Sequence, residues 1–251
     1  MPKRGILFAA IATLAGISAV AAQESPRLAI ERLGDIQTGL YSTSTGVTFS
    51  LDPYAGNYLL HIAGEREIFV LHVDHGSLGG RMLKFDSGGV AIQVSGWGAV
   101  TVYTDAQPGG LPAERTADGP PPALAPLSLA DMQKAAGDES EHLAYARGLH
   151  IAFDADWATL AGDATLRALT FDAMQNVARG VERFTASLTA RAAFSTRVNA
   201  VHLASGSRQT ISLIGRTLNV TFVPAQGFAG RASSHAIAHV LGQLFGIATE
   251  G

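Results

Sequence analysis

The sequence predicts an α+β protein, with an antiparallel β-rich N-terminal part followed by a mixed helix and strand C-terminal part. Three observations predict it. Residues 67–104 read as four short strands cut by glycine turns. Residues 107–126 are dense in proline and glycine, with Pro120, Pro121 and Pro122 contiguous. Beyond them helical spacings dominate, and only a few strands return. The order of strands, linker, helices, strands and a last helix is not the alternation that builds a parallel α/β sheet. The boundaries that follow are a signal peptide at 1–22, a β-rich domain at 23–107, a Pro/Gly-rich linker at 108–126 and an α+β domain at 127–251.

The chain opens with Lys3 and Arg4, an apolar run from Gly5 to Val20, and the small-residue sites Ala19-Val-Ala21 and Val20-Ala-Ala22. That is the pattern of a secretory leader, cut after Ala21 or Ala22. Pro26 suits the first turn of a short helix over Arg27–Leu33. Strands are expected at Leu40-Tyr41, Val47–Leu51 and Tyr58–Ile62. Ile68 to Val73 is apolar on both strand faces, so it should be covered on both sides. Asp74–Gly80 is turn chemistry. Leu83 and Phe85 share a face, then Asp86-Ser-Gly-Gly turns the chain into a strand with Ile92 and Val94 on one face. Gly96-Trp97-Gly98 is a turn or bulge before Val100 and Val102. Links this short favour an antiparallel meander forming a small sheet or barrel.

After the linker, Ser128 can cap a helix through Met132, and a second helical stretch runs over 140–147. A strand is expected over 149–153. Asp163 is an N-cap for a helix reaching Phe184, with Leu166, Leu169, Ala173 and Val177 inward and Gln175, Arg179 and Glu182 in solvent. Three strands follow at 198–204, 210–214 and 218–223, and a helix from Ser233 to Gly246 closes the chain. Strands that should alternate to the end in an outer-membrane barrel do not.

With no cysteine among 251 residues, disulfides, thiolate metal sites and thiol nucleophiles are excluded. Hydrophobic residues make up 47%, enough for a substantial core, and the formal charge is −3. Nothing forms a basic stripe, so nucleic acid is not an expected partner. No membrane span is expected after leader cleavage. Signatures of serine-hydrolase elbows and phosphate-binding loops are missing.

The sharpest chemical pattern is His235 and His239, four apart on one helix face, as two ligands of a divalent metal such as zinc would be. The helix resembles that of zinc metalloproteases only partly. Ala236 stands where their general-base glutamate belongs, and Phe245 where one subgroup has a third histidine. A third ligand would have to be His202, His150 or an acid. His72 with Asp74 on one strand face, and Trp97 between two glycines, are candidate ligand contacts. Asp154-Ala-Asp156 resembles the acidic pair of sugar-nucleotide transferases, but its setting between a strand and a helix is also that of an ordinary loop.

Val94-Ser-Gly-Trp-Gly-Ala-Val-Thr-Val-Tyr-Thr104 and Gln226-Gly-Phe-Ala-Gly-Arg-Ala-Ser-Ser234 resemble segments of an uncharacterised family of exported proteobacterial proteins, a domain of unknown function. The resemblance implies a Gram-negative, periplasmic setting and no activity. The functional expectation is a periplasmic or secreted binding or envelope-interaction protein without catalysis, its partner a small ligand or an envelope protein. The alternative is a metal-binding protein or metal-dependent hydrolase centred on His235 and His239.

Overall fold

A computed structural model describes residues 36–248. The expected leader and the Arg27–Leu33 helix lie outside the described residues. The N-terminal half is a closed barrel of eight antiparallel strands: β1 (Gly39–Thr43), β2 (Thr48–Tyr54), β3 (Asn57–Ile62), β4 (Ile68–His75), β5 (Arg81–Lys84), β6 (Val90–Val94), β7 (Val100–Thr104) and β8 (Gln107–Ala117). Each strand pairs with the next. The ring shuts where Tyr41 of β1 faces Arg115 of β8.

Alternation decides which side chains fill the barrel. Phe49, Leu51, Leu60, Phe69, Leu83 and Ile92 point inward and pack as one core. Thr48, His61, Asp74, Gln93 and Thr101 alternate with them on the outer wall. An apolar inside and polar outside is the inverse of a lipid-facing barrel.

Two expectations change here. Residues 107–117 form β8, eleven residues long, where a linker was expected. Closure requires an eighth strand, and pairing on both sides outweighs the poor strand propensity of Pro108, Gly109, Gly110 and Pro112. Register shifts beside both of its neighbours accommodate the irregular backbone. The irregular connection is therefore 118–128. In β4, moreover, only Ile68–Leu71 is buried on both faces, and His72–His75 is exposed.

The C-terminal half builds on α1 (Leu129–Arg147), α2 (Trp157–Gly162), α3 (Ala164–Phe184), α4 (Leu188–Arg197) and α5 (Ser234–Phe245). Each has a side-chain N-cap: Ser128, Asp156, Asp163, Ser187 and Ser233. Its sheet has the order β11 (Thr210–Ile214), β12 (Thr217–Phe222), β10 (Ala200–Ser205), β9 (Ala152–Ala155). β9 and β10 run parallel, joined through α2, α3 and α4, and β11 runs antiparallel to β12. Phe153, Val201, Leu203, Leu218 and Val220 face the helices and share their core. α1 is one helix where two were expected; Gly137 does not break it, because Met132, Ala136 and Leu143 bury a continuous stripe. α4 was not expected at all.

α3 lies at the centre. Its Gly180 lets α5 approach so closely that a Cβ there would collide with Ile237. The face expected in solvent is covered. Gln175 and Asn176 are buried, and Glu182 pairs with Arg147 at 3.3 Å. Two neighbours cover it: α1 meets Glu182 through Arg147, and Arg179 lies 3.8 Å from Glu67 of the barrel.

Candidate functional site

Glu67, Asp172, Arg231, Ser233 and Ser234 are all buried, and they meet where the end of the barrel bearing the β3–β4, β5–β6 and β7–β8 turns faces α3 and α5. Glu67, which leads into β4, is fully buried. One of its oxygens accepts from the Ser234 N–H at 2.8 Å, and the other lies 3.8 Å from the Arg179 guanidinium without a hydrogen bond. Asp86, on the β5–β6 turn, accepts from the Ser233 N–H at 2.8 Å and from the Ser233 hydroxyl. Asp105, on the β7–β8 turn, accepts from Arg183. Three barrel carboxylates thus face the first turn of α5 and the basic side of α3. Two of them take unpaired N–H groups at a helix N-terminus, where negative charge is favoured.

Arg231 completes this junction. It donates to Asp172 of α3 and, at 2.7 Å, to the carbonyl of Ile68. Burial lowers its pKa to about 10, against the opposing pull of Glu67, Asp86 and Tyr54. Burial likewise raises Glu67, more than its bonds to Ser234 and the charges of Arg179 and Arg231 lower it. The whole run 226–234 serves the junction. Gly227 (φ 54°) sits against the Tyr54 hydroxyl. Phe228 packs on Leu59, Ile68 and Val70 of the outer barrel wall. Gly230 lies so near the Val223 carbonyl that no Cβ fits.

His235 and His239 take separate partners. The His235 ring stacks on Phe85 at 4.1 Å and lies 5.6 Å from Phe69. Burial, then the charge of Arg183, lowers its pKa to about 3, so it is a neutral packed ring. His239, one turn on, bonds Gln243 at 2.9 Å. Gly242, on the same helix, is buried. Among the described residues no three His, Asp or Glu side chains are grouped to hold an ion. His202, named as a third ligand, bonds Asp154 at 3.1 Å across β9 and β10. The acidic pair divides as well: Asp154 also accepts from the Trp157 ring N–H at 2.9 Å, while Asp156 caps α2.

Of the candidate ligand contacts, Trp97 stands on a turn with 74% of its surface exposed. His72 lies on the outer wall, its Nδ1 3.2 Å from Asn57 Oδ1. Asn57 belongs to the rim of a cleft of about 630 Å³ between the β2–β3 turn, the start of α3 and the Pro224–Gly230 turn. Leu124, Leu169, Pro224 and Phe228 give it apolar walls; Thr165 and Gln226 add polar groups. The Tyr54 hydroxyl fixes one wall, donating to the Gln226 carbonyl at 3.1 Å and accepting from the Phe228 N–H at 3.1 Å. A second void, about 10 Å³ beside α2, has room for no more than about one water.

The sequence pattern did not single out the cleft or the buried junction. The available signals were a glutamate placed immediately before a strand apolar on both faces, and the crowding of Gly227, Gly230, Arg231, Ser233 and Ser234 within one short run.

No curated protein and no solved structure matches the chain. One family description, Domain of unknown function (DUF4908), matches across residues 23–241, a span that takes in the barrel, the junction and most of α5. The chain therefore belongs to the DUF4908 family, a domain of unknown function.

Proposed function

We propose that this is an exported, non-catalytic binding protein of the cell envelope, and that a small, largely apolar ligand occupies the cleft between the barrel and α3. The cleft carries the reading. A concavity of about 630 Å³ has the size of a small-molecule site, and its place between two structural halves is a usual one. Apolar walls with a few polar groups suit a ligand that is mostly hydrocarbon and carries one or two hydrogen-bonding groups. The walls are also preformed, since Tyr54 ties the barrel to the Pro224–Gly230 turn.

Export rests on Lys3, Arg4, the apolar run that follows and the small residues Ala19 to Ala22. A periplasmic setting is the corresponding proposal, with a ligand drawn from the envelope.

The test is a cleft-filling substitution. Thr165 is exposed on the cleft rim, so Thr165→Trp should fill the cavity without disturbing the fold. Anilinonaphthalene sulfonate, an apolar dye with one charged group, should brighten on binding the native protein. Thr165→Trp should weaken it by about tenfold. Equal dye binding by both proteins, or none by either, would contradict the reading.

A further inference from the structure

The end of the barrel away from α5 is built from turns that meet back to back. One spans 76–80 between β4 and β5, the other 95–99 between β6 and β7. Their backbones touch: a Cβ on Gly96 would collide with the Leu78 carbonyl, and one on Gly80 would lie 2.6 Å from the Val94 carbonyl. The two tips are Leu78, 88% exposed, and Trp97, 74% exposed. Val73, paired with Leu83 of the lumen, adds a partly exposed apolar side chain at the mouth between them and the core.

Leu78 is an unusual choice for the fold. Its φ of 53° lies in the left-handed region, where a leucine is disfavoured and glycine is the default. A side chain so exposed gains almost no burial in return. Stability alone would favour glycine or asparagine there.

The charges around the tips narrow what they suit. Between His75 and Thr104 the only acidic residue is Asp86, which sits at the opposite end of the barrel on Ser233. Asp74 is paired with Lys84 at 2.6 Å. Arg81 stands at the mouth, its guanidinium folded onto the Gly79 and Gly80 carbonyls at 3.3 and 3.1 Å. The two turns are thus apolar at their tips, with Arg81 at the mouth and no acid of their own; the exposed Glu114 of β8 follows Ala113, which pairs with Val100 just past the second turn.

We propose that this end of the barrel docks on an anionic lipid surface, with Leu78 and Trp97 entering the headgroup region and Arg81 meeting the phosphates. Convex tips suit insertion into a fluid interface better than the flat or concave match a protein partner needs. Tryptophan favours the membrane–water boundary, where its ring is buried and its N–H stays wet. A basic side chain near the surface adds attraction to anionic lipid. The proposal uses none of the cleft's residues and stands or falls separately from it.

Trp97 reports directly on its own insertion. The full chain would be mixed with vesicles of phosphatidylethanolamine containing phosphatidylglycerol, and with vesicles lacking the anionic lipid. Some acyl chains would be brominated to quench any tryptophan that reaches them. Subtracting a Trp97→Phe variant isolates Trp97 from Trp157, the only other tryptophan. The expected result is a blue shift and quenching of Trp97 on the anionic vesicles, weaker on the others. Leu78→Gly should require about tenfold more lipid for the same quenching while unfolding at a higher temperature, which separates loss of docking from loss of fold. Trp97 emission unchanged by anionic vesicles would overturn the proposal. So would an equal response on neutral vesicles, or unaltered lipid dependence in Leu78→Gly.

Discussion

His235 shows what the junction does to a single side chain. Its ring is enclosed by Phe85 and Phe69, with the Arg183 guanidinium nearby and Asp105 3.9 Å from Nε2. Burial and Arg183 together outweigh that carboxylate, and the pKa falls from 6.5 to about 3. Between those two values the unfolded chain binds the proton and the folded chain does not. Stability contributed by the neutral ring is therefore present above pH 6.5 and is lost as pH falls toward 3. The slope is at most about 1.4 kcal/mol per pH unit. Glu67 acts in the opposite sense, since its folded pKa is raised, so only a comparison isolates the histidine. His235→Phe keeps a ring against Phe85 and removes the titration. Chemical denaturation at a series of pH values should show wild type losing stability relative to His235→Phe as the solution is acidified below pH 6.5. Parallel curves would show that the ring is protonated in place.

At the scale of elements, the helices that carry their own end signals were the most legible. Asp163 fixed the start of α3, and Ser233 and Gly246 bracketed α5, because caps are local chemistry that a sequence displays. The barrel's strands were legible up to β7 for the same reason, since alternation and glycine turns are local. β8 was not, because Pro108 and Pro112 argue against a strand and only closure of the ring demands one. The solvated face assigned to α3 failed for a related reason. Gln175, Arg179 and Glu182 are polar enough for water, and only distant parts of the chain enclose their face: Arg147 of α1 meets Glu182, and Glu67 of the barrel meets Arg179. The His235 and His239 spacing was read correctly as one helix face, but what that face meets, Phe85 on a barrel turn, is a long-range contact with no signature near the histidines.

The contact of α3 with α5 supplies a test at this scale. Gly180 admits Ile237 where a methyl group would overlap it. Gly180→Ala gains the helix propensity of alanine, about 1 kcal/mol, yet forces apart two helices in close-packed contact, an overpacking cost of about 1–3 kcal/mol. Net destabilisation is the expected outcome, read as a lower thermal midpoint. A raised midpoint would mean that the two helices are not in the register described.

For the molecule as a whole, the described residues fall within one compact unit. The cause is the segment from Gln226 to Ser234, which belongs to the C-terminal half by sequence but whose side chains and backbone bond to both halves. Phe228 covers the outside of β3 and β4, Arg231 bridges Asp172 to the Ile68 carbonyl, and Ser233 and Ser234 present the α5 N-terminus to Asp86 and Glu67. Removing one partner from such a buried charge pair leaves the other uncompensated, a loss of about 3–5 kcal/mol. The halves should not come apart before they unfold. The cleft and the barrel tips are then fixed features of one rigid body, which is what a preformed binding surface requires.

Each half carries one tryptophan, Trp97 in the barrel and Trp157 on α2, which makes the measurement direct. Equilibrium unfolding in urea would be followed by fluorescence in Trp97→Phe, which reports the C-terminal half, and in Trp157→Phe, which reports the barrel. Far-UV circular dichroism of the same samples reports the whole chain. The account predicts that fluorescence and dichroism coincide in both variants, as one cooperative transition. A barrel transition displaced from the dichroism of its own sample would contradict the junction as the element that makes the two halves one.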